Sequence, residues 1–341
     1  MSGQGTVLVT GGSGFIGSWC VIGLLQQGYT VRTTVRSLGR ESAVRAAIGK
    51  VVDPQDRLSF HAAELTTDAG WDAAASGCDY VLHVASPVAV SEPKNPDELI
   101  VPARDGTRRA VGAALEAGVK RVVLTSSVAA ASPRAGSRES VSDETVWTDL
   151  DDPTVSAYAR SKTLAERAAW DLIDASGGAT TLATVNPSVV LGPVLSRDFS
   201  ESVQAVQRLL SGRVPGLPRL GFSFVDVRDV ADLHIRAMTA PEAAGQRFIA
   251  AGDFAWMADL AALLQARLGD AARKVPTRRV PDLVVRLAAL FDRSLAGVAP
   301  RLGEKRAFTS AKAQKVLGWR PRSLEETVLD CARSLIAIGA V

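Results

Sequence analysis

A tyrosine and a lysine four residues apart, in Tyr158-Ala-Arg-Ser-Lys162, are the pair in this chain best suited to acid–base chemistry on a carbonyl. On a helix, residues at this spacing share a face, so the phenol and the ammonium point the same way. A free phenol has a pKa of ~10 and is a slow proton donor or acceptor at neutral pH. A neighbouring cation stabilises the phenolate and lowers that value. A YxxxK motif alone is common, and its company gives it weight. Thr125-Ser126-Ser127 closes a short apolar run ahead of the tyrosine. A hydroxyl at a strand end can donate to a carbonyl oxygen that gains negative charge during hydride attack. Ser127 is preferred to Ser126 for this role. The expected division of labour is Tyr158 as proton donor and Ser127 polarising the carbonyl. Lys162 is expected to lower the tyrosine pKa and to hold a ribose.

A hydride must come from a cofactor, and Thr10-Gly11-Gly12-Ser13-Gly14-Phe15-Ile16-Gly17 offers a place for one. The spacing is GxxGxxG, between the first strand pattern and an amphipathic helix pattern. Glycine permits the turn and lets a pyrophosphate approach the backbone, where free N–H groups at a helix start bind the anion. NAD-selective proteins usually place an acid at the end of the second strand. Here that position reads Val35-Arg36-Ser37, with Arg40 four residues on. A guanidinium suits a 2′-phosphate, so NADP(H) is the expected cofactor. Glu64-Leu65 follows the third strand pattern, where an adenine amino group meets the carboxylate.

The elements that must position these residues are legible as alternating strands and helices. Strands are expected at Thr6–Thr10, Thr30–Val35, Leu58–His61, Tyr80–Val84, Val122–Thr125 and Thr180–Val185. Helices are expected at Ile16–Gln27, stopped by Gly28, at Thr107–Ala117 and at Ser156–Ala175. This alternation specifies βαβ units, a doubly wound parallel sheet of the α/β Rossmann class. Beyond Pro187 the pattern breaks up: a helix near Ser202–Leu210, a strand at Phe222–Val225, a helix at Val230–Ala240 and a strand at Arg247–Ala251. Four helices then follow, at Met257–Leu268, Pro281–Phe291, Ser310–Leu317 and Leu324–Ala337. The expected division is a cofactor domain over 1–190, to which 224–252 return, and a smaller, mainly helical substrate domain over 191–223 and 253–341.

Composition is that of an ordinary globular chain. The 341 residues are 47% hydrophobic and 22% charged, with a net charge of +3 and basic residues scattered along the chain. No long basic run suggests nucleic acid; Arg278-Arg279 and Lys305-Arg306 read as solvated surface. No signal-peptide pattern and no apolar stretch of ~18 residues is present, so a cytoplasmic protein without a membrane partner is expected, as a monomer or homodimer. Cys20, Cys78 and Cys331 are far apart and lack CxxC spacing, which suits a reducing compartment. No metal is expected, and His83 reads as a core histidine bonded to backbone. Asp226 and Asp229 read as helix caps.

Taken together, these stretches resemble the extended short-chain dehydrogenase/reductase superfamily, in its dihydroflavonol 4-reductase-like branch with bacterial aldehyde and ketone reductases. The matching segments are Thr10–Trp19, Gly28–Arg36, Leu82–Val88, Val122–Ala130, Tyr158–Trp170, Asn186–Pro193, Phe224–Met238 and Ser310–Glu326. The resemblance implies that Ser127, Tyr158 and Lys162 are catalytic. It implies that Gly11, Gly14, Phe15, Ile16 and Gly17 line a pyrophosphate, with Arg36 and Arg40 on the 2′-phosphate. Glu64 and Leu65 would meet the adenine, and Val84, Ala85 and Ser86 the nicotinamide half. Pro187 and Val190 would place the carboxamide, with Ser202 nearby. Two departures disfavour a flavonoid substrate: Ser132 and Ser223 stand where plant flavonoid reductases carry Asn and Gln.

The expected reaction is reduction of a small or medium, partly apolar aldehyde, ketone or keto ester. Val194, Leu195, Phe199, Val206, Leu217, Leu283 and Leu287 are expected to supply an aliphatic pocket wall. Trp256, Met257, Leu290 and Phe291 read as core or pocket. Arg208, Arg213 and Arg219 are the residues that would instead grip a phosphate. The alternatives are a nucleotide-sugar epimerase or dehydratase, a 3β-hydroxysteroid dehydrogenase-like enzyme, and a non-catalytic dinucleotide sensor.

Overall fold

Short apolar runs, several of them β-branched, build the strands, and most helices between them are amphipathic. The helix after the glycine turn, expected to be so, is instead apolar on nearly every side because it is buried on most of its surface. The structure, a computed structural model, describes residues 4–87, 93–134, 139–291 and 299–341, and of Glu139 the main chain only. Val88, the last residue of one family-like stretch, lies outside the described residues. The strands are β1 (Thr6–Thr10), β2 (Thr30–Val35), β3 (Leu58–Ala62), β4 (Tyr80–His83), β5 (Arg121–Thr125), β6 (Glu139–Ser142), β7 (Thr181–Pro187), β8 (Val189–Leu191), β9 (Gly221–Asp226), β10 (Gln246–Ala250), β11 (Phe254–Trp256) and β12 (Lys305–Phe308). Seven of them form one parallel sheet in the order β10-β7-β5-β4-β1-β2-β3. Strand order reverses between β1 and β4, and in such sheets ligands bind beyond the carboxyl ends at that point.

Helices cover both faces. On one, α1 (Phe15–Gln26) packs against α7 (Val227–Thr239), with α2 (Glu41–Gly49) beside them. On the other, α4 (Asp97–Glu116) packs against α5 (Ala157–Ser176), with α3 (Trp71–Ala75) alongside. A separate apolar cluster joins α6 (Glu201–Leu210), α8 (Met257–Leu268) and α11 (Leu324–Ala337) beneath the small β11-β9-β8 sheet. The remaining helices are α9 (Asp282–Ala288) and α10 (Ala311–Leu317), and β12 pairs with β6. Among the described residues no helix is long and apolar enough to cross a membrane.

Several expectations need correction. Helix α4 starts ten residues before Thr107, with Pro102 inside it. Its apolar side, Leu99, Ile100 and Ala103, is buried, and that burial holds the helix through the proline. Leu283, Leu287, Leu290 and Phe291 are not core: they are 68%, 55%, 75% and 93% exposed. Helix α9 is only seven residues long and buries Val285 alone, against Leu220 and Leu302. Asp226 does cap α7, but Asp229 lies inside its first turn and binds the main-chain N–H and guanidinium of Arg322. The Arg306 of the Lys305-Arg306 pair is not free surface; it belongs to β12 and pairs with Glu304.

Candidate active site

The glycine turn leaves β1 where sterics demand glycine. Gly11 has φ +70, and a Cβ there would sit 3.0 Å from the Ala85 Cα. A Cβ on Gly17 would lie 2.3 Å from the Gly11 carbonyl oxygen, so the glycine lets α1 approach its own turn. Gly14 is the N-cap of α1 without any side-chain cap, and the first turn carries no acid. The first N–H groups of α1 are therefore left to an external anion. Thr10 and Thr34 brace the turn. The Thr10 hydroxyl accepts from the main-chain N–H of Val84 and Ala85 at 3.0 and 2.9 Å, and the Thr34 hydroxyl accepts from Gly11 N at 3.0 Å. Val84, Ala85 and Ser86 thus lie beside the turn, across the switch point.

Arg36 stands exposed just past β2, with no ion pair among the described residues. Arg40 is nearby but pairs with Asp198 at 2.5 Å. Together with Gly12–Phe15 and Val194, Leu195 and Phe199, that pair encloses a cavity of about 190 Å³. Three residues of the expected pocket wall therefore face the glycine turn. Val206 and Leu217 do not reach a site; they are buried in the cluster of α6, α8 and α11. Glu64 is exposed after β3, and Leu65 rests on Gly106 of α4, where a Cβ would meet it at 2.6 Å.

The catalytic candidates converge at the carboxyl end of β5. The Ser156 side chain caps α5 through Ala159 N, setting Tyr158 in the first turn and Lys162 one turn on. The Lys162 ammonium lies 5.9 Å from the Tyr158 ring centroid. Burial raises the Tyr158 pKa, and a hydrogen bond with Ser127 works against that rise. Burial depresses Lys162 to about 8, and the Glu166 carboxylate opposes this. The two serines are separated by their partners. Ser126 donates to the buried Glu166 at 2.5 Å, so its proton is committed. Ser127 accepts from Ala129 N at 3.1 Å, capping a short turn, and its hydroxyl also hydrogen-bonds Tyr158.

Pro187 closes β7, and Val190, in β8, is tied by its carbonyl to the Ser202 hydroxyl at 2.6 Å. His83 is a core histidine, but its Nδ1 meets the Thr10 hydroxyl at 2.9 Å rather than backbone, and burial lowers its pKa to about 3. Ser132 donates to the Val128 carbonyl, and Ser223 is buried. Of the phosphate-gripping alternatives, Arg219 pairs with Asp282. Sequence reasoning missed Glu166, Asn186 and Arg247. Each reads alone as a surface or strand residue, and only the fold brings them together.

The family model described as "NAD dependent epimerase/dehydratase family" matches residues 7–251. Cinnamoyl-CoA reductase 1 of Arabidopsis thaliana is 38% identical over 249 residues, covering 72% of this chain and 70% of that protein. Tetraketide alpha-pyrone reductase 1 of the same plant is 34% identical over 342 residues, covering 98% and 97%. Among solved structures, the yeast methylglyoxal/isovaleraldehyde reductase complexed with NADPH aligns with a TM-score of 0.81 and 26% identity, over 98% of this chain and 100% of that one.

Proposed function

The chain belongs to the NAD dependent epimerase/dehydratase family, and from that premise we propose that it is an NADPH-dependent carbonyl reductase acting on small or medium, partly apolar aldehydes, ketones or keto esters. The observation that carries this reading is the convergence of Ser127, Tyr158 and Lys162 beside the glycine turn. The uncapped N-terminus of α1 and the glycines that a Cβ would obstruct fit a dinucleotide. Gly11, Gly14, Phe15, Ile16 and Gly17 would hold its pyrophosphate, and Arg36 and Arg40 its 2′-phosphate. Glu64 and Leu65 would meet the adenine. Val84, Ala85, Ser86, Pro187 and Val190 would flank the nicotinamide, with Ser202 acting through Val190.

When bound, NADPH supplies the hydride. The protein's own task is then electrostatic and protonic. As negative charge builds on the carbonyl oxygen, Ser127 donates a hydrogen bond to it, an arrangement worth ~2.7–4 kcal/mol where a single such donor has been removed. Tyr158 delivers the proton. Its raised pKa keeps that proton in place until it is needed, which favours reduction. Lys162, charged at neutral pH, would stabilise the tyrosinate left behind and would hold the ribose hydroxyls.

The substrate class is supported by relatives named as reductases; Val194, Leu195 and Phe199 line the cavity at the glycine turn and Arg40, on the cofactor side of the site. An apolar wall discriminates weakly, about 1–3 kcal/mol per methylene, so graded activity across related carbonyls is expected. The test is NADPH consumption with aldehydes, aryl ketones, keto esters, cinnamoyl-CoA and nucleotide sugars side by side. Turnover of several carbonyls supports the reading. Turnover of nucleotide sugars alone overturns it.

A further inference from the structure

Beneath the site lies a buried ion pair that the reaction outlined above does not use. Glu166, on α5 one turn beyond Lys162, is fully buried. Its carboxylate accepts from Ser126 at 2.5 Å, Thr184 at 3.0 Å, Asn186 at 2.9 Å and Arg247 Nε at 2.7 Å. Arg247, in β10, also donates to the carbonyl oxygens of Glu144 and Val146, both at 2.8 Å, and of Ala130 at 3.3 Å. Its guanidinium lies 3.8 Å from the Trp147 ring centroid. With a further contact from Arg247 Nη2 to the other Glu166 carboxylate oxygen at 3.4 Å, all five donors of the guanidinium are committed. Asn186, on β7, passes the arrangement on: its Nδ2 donates to the Ser127 carbonyl oxygen at 3.2 Å.

A pair so deeply buried is a poor source of stability, because desolvating both charges offsets most of their attraction. Its position offers a better reason for it. It links α5, which carries Tyr158 and Lys162, to β5, β7 and β10, and so fixes the serine strand end against the helix. We propose that Glu166 and Arg247 are the positioning residues of this active site, holding Ser127 through Ser126 and Asn186 and together setting the electrostatic field at Lys162. The charged and titratable groups that act on this region are Tyr158 and Glu166 on α5, His83 on β4, Arg247 on β10 with Glu144 and Lys312 facing it, and, toward Tyr158, Glu201 on α6. His83 is neutral at working pH, so beyond burial itself Glu166 is the charge that bears on Lys162, and Arg247 acts there through its pairing with Glu166.

This inference rests on the proposed reductase reading, and its test separates the two. Reduction needs Tyr158 protonated and Lys162 charged, so kcat/KM falls on an alkaline limb that reports the coupled pair. Glu166→Gln leaves the Arg247 cation unbalanced, which favours deprotonation of both groups. The limb is expected to move to lower pH by about one unit for a charge one helical turn away. Arg247→Met leaves the carboxylate unbalanced and is expected to move the limb to higher pH by a similar amount. Glu166→Gln/Arg247→Met restores neutrality and is expected to return the limb to its wild-type position, with a lower kcat because Ser126 and Asn186 lose their anchor. Neutral replacement of a buried pair is often tolerated, so the double variant remains measurable if a single variant does not fold. A scaffold without electrostatic influence would leave the limb fixed in both single variants or move it the same way; either result overturns the proposal. If only the double variant folds, a displaced limb or an unchanged kcat overturns it. Tyr158→Phe, run in the same series, reports on the reductase reading alone.

Discussion

The Lys162 ammonium lies 5.9 Å from the centroid of the Tyr158 ring, one turn further along α5. Burial and the Ser127 hydrogen bond set the phenol's own pKa, and in the proposed mechanism the Lys162 charge bears on the tyrosinate left once the proton is given up. Burial holds Lys162 at about 8, so the ammonium is present at neutral pH and is lost above it. Reduction should accordingly be strongest below that value and decline as the pH is raised through it.

Cofactor selectivity follows from Arg36. It stands at the end of β2 without an acid to bind a ribose 2′-hydroxyl. NADPH should be preferred to NADH in kcat/KM with any one ketone. Arg36→Ala should raise the KM for NADPH roughly tenfold or more, the loss of one charge-assisted hydrogen-bonded contact, and leave that for NADH nearly unchanged. Steady-state kinetics with both cofactors check this, and equal efficiency in the wild type would contradict it.

Gly17→Ala tests the close approach of α1 to the glycine turn. The new Cβ would lie 2.3 Å from the Gly11 carbonyl oxygen, which is backbone and cannot swing aside. The turn must open, at a cost of about 1–3 kcal/mol of stability. Dinucleotide binding measured by fluorescence titration should weaken at least tenfold. Unchanged binding would show that the turn does not meet the cofactor.

Two buried histidines make the fold sensitive to acid. His234 Nε2 meets the Thr125 hydroxyl and its Nδ1 faces the Val230 carbonyl. Burial lowers its pKa to about 4, and that of His83 to about 3. Both folded-state values lie below the ordinary ~6.5, so the unfolded chain binds more protons between them. Stability is full above pH 6.5 and falls as the pH drops toward 4, by about 2–3 kcal/mol per histidine at pH 4.5. Urea midpoints at pH 7 and pH 4.5 measure the loss, and His234→Gln should remove about half of it. Parallel losses in the variant and the wild type would refute the assignment.

The sequence displayed much of the sheet because β1, β2, β5 and β7 are short runs rich in β-branched residues, and β1, β2 and the helix Met257–Leu268 fall where the pattern puts them. The pairing Tyr158–Lys162 was legible because helical spacing alone brings it about. The sequence already prefers Ser127 to Ser126, and the fold adds a physical reason, since Glu166 binds the Ser126 hydroxyl. Arg247 and Glu166 are 81 residues apart, and no local pattern joins them. Helix α9 misled because an apolar stripe looks the same in sequence whether it is covered or, as here, open to solvent.

The central claim is that Tyr158 donates the proton, and Tyr158→Phe tests it most directly. The substitution removes the hydroxyl and keeps the ring against Lys162. Measured kcat for a ketone with saturating NADPH should fall by ~10²–10⁴-fold, the usual contribution of a general acid, while the NADPH dissociation constant stays within a factor of about three. A variant that retained more than about a tenth of wild-type kcat, far outside that range, would contradict the mechanism.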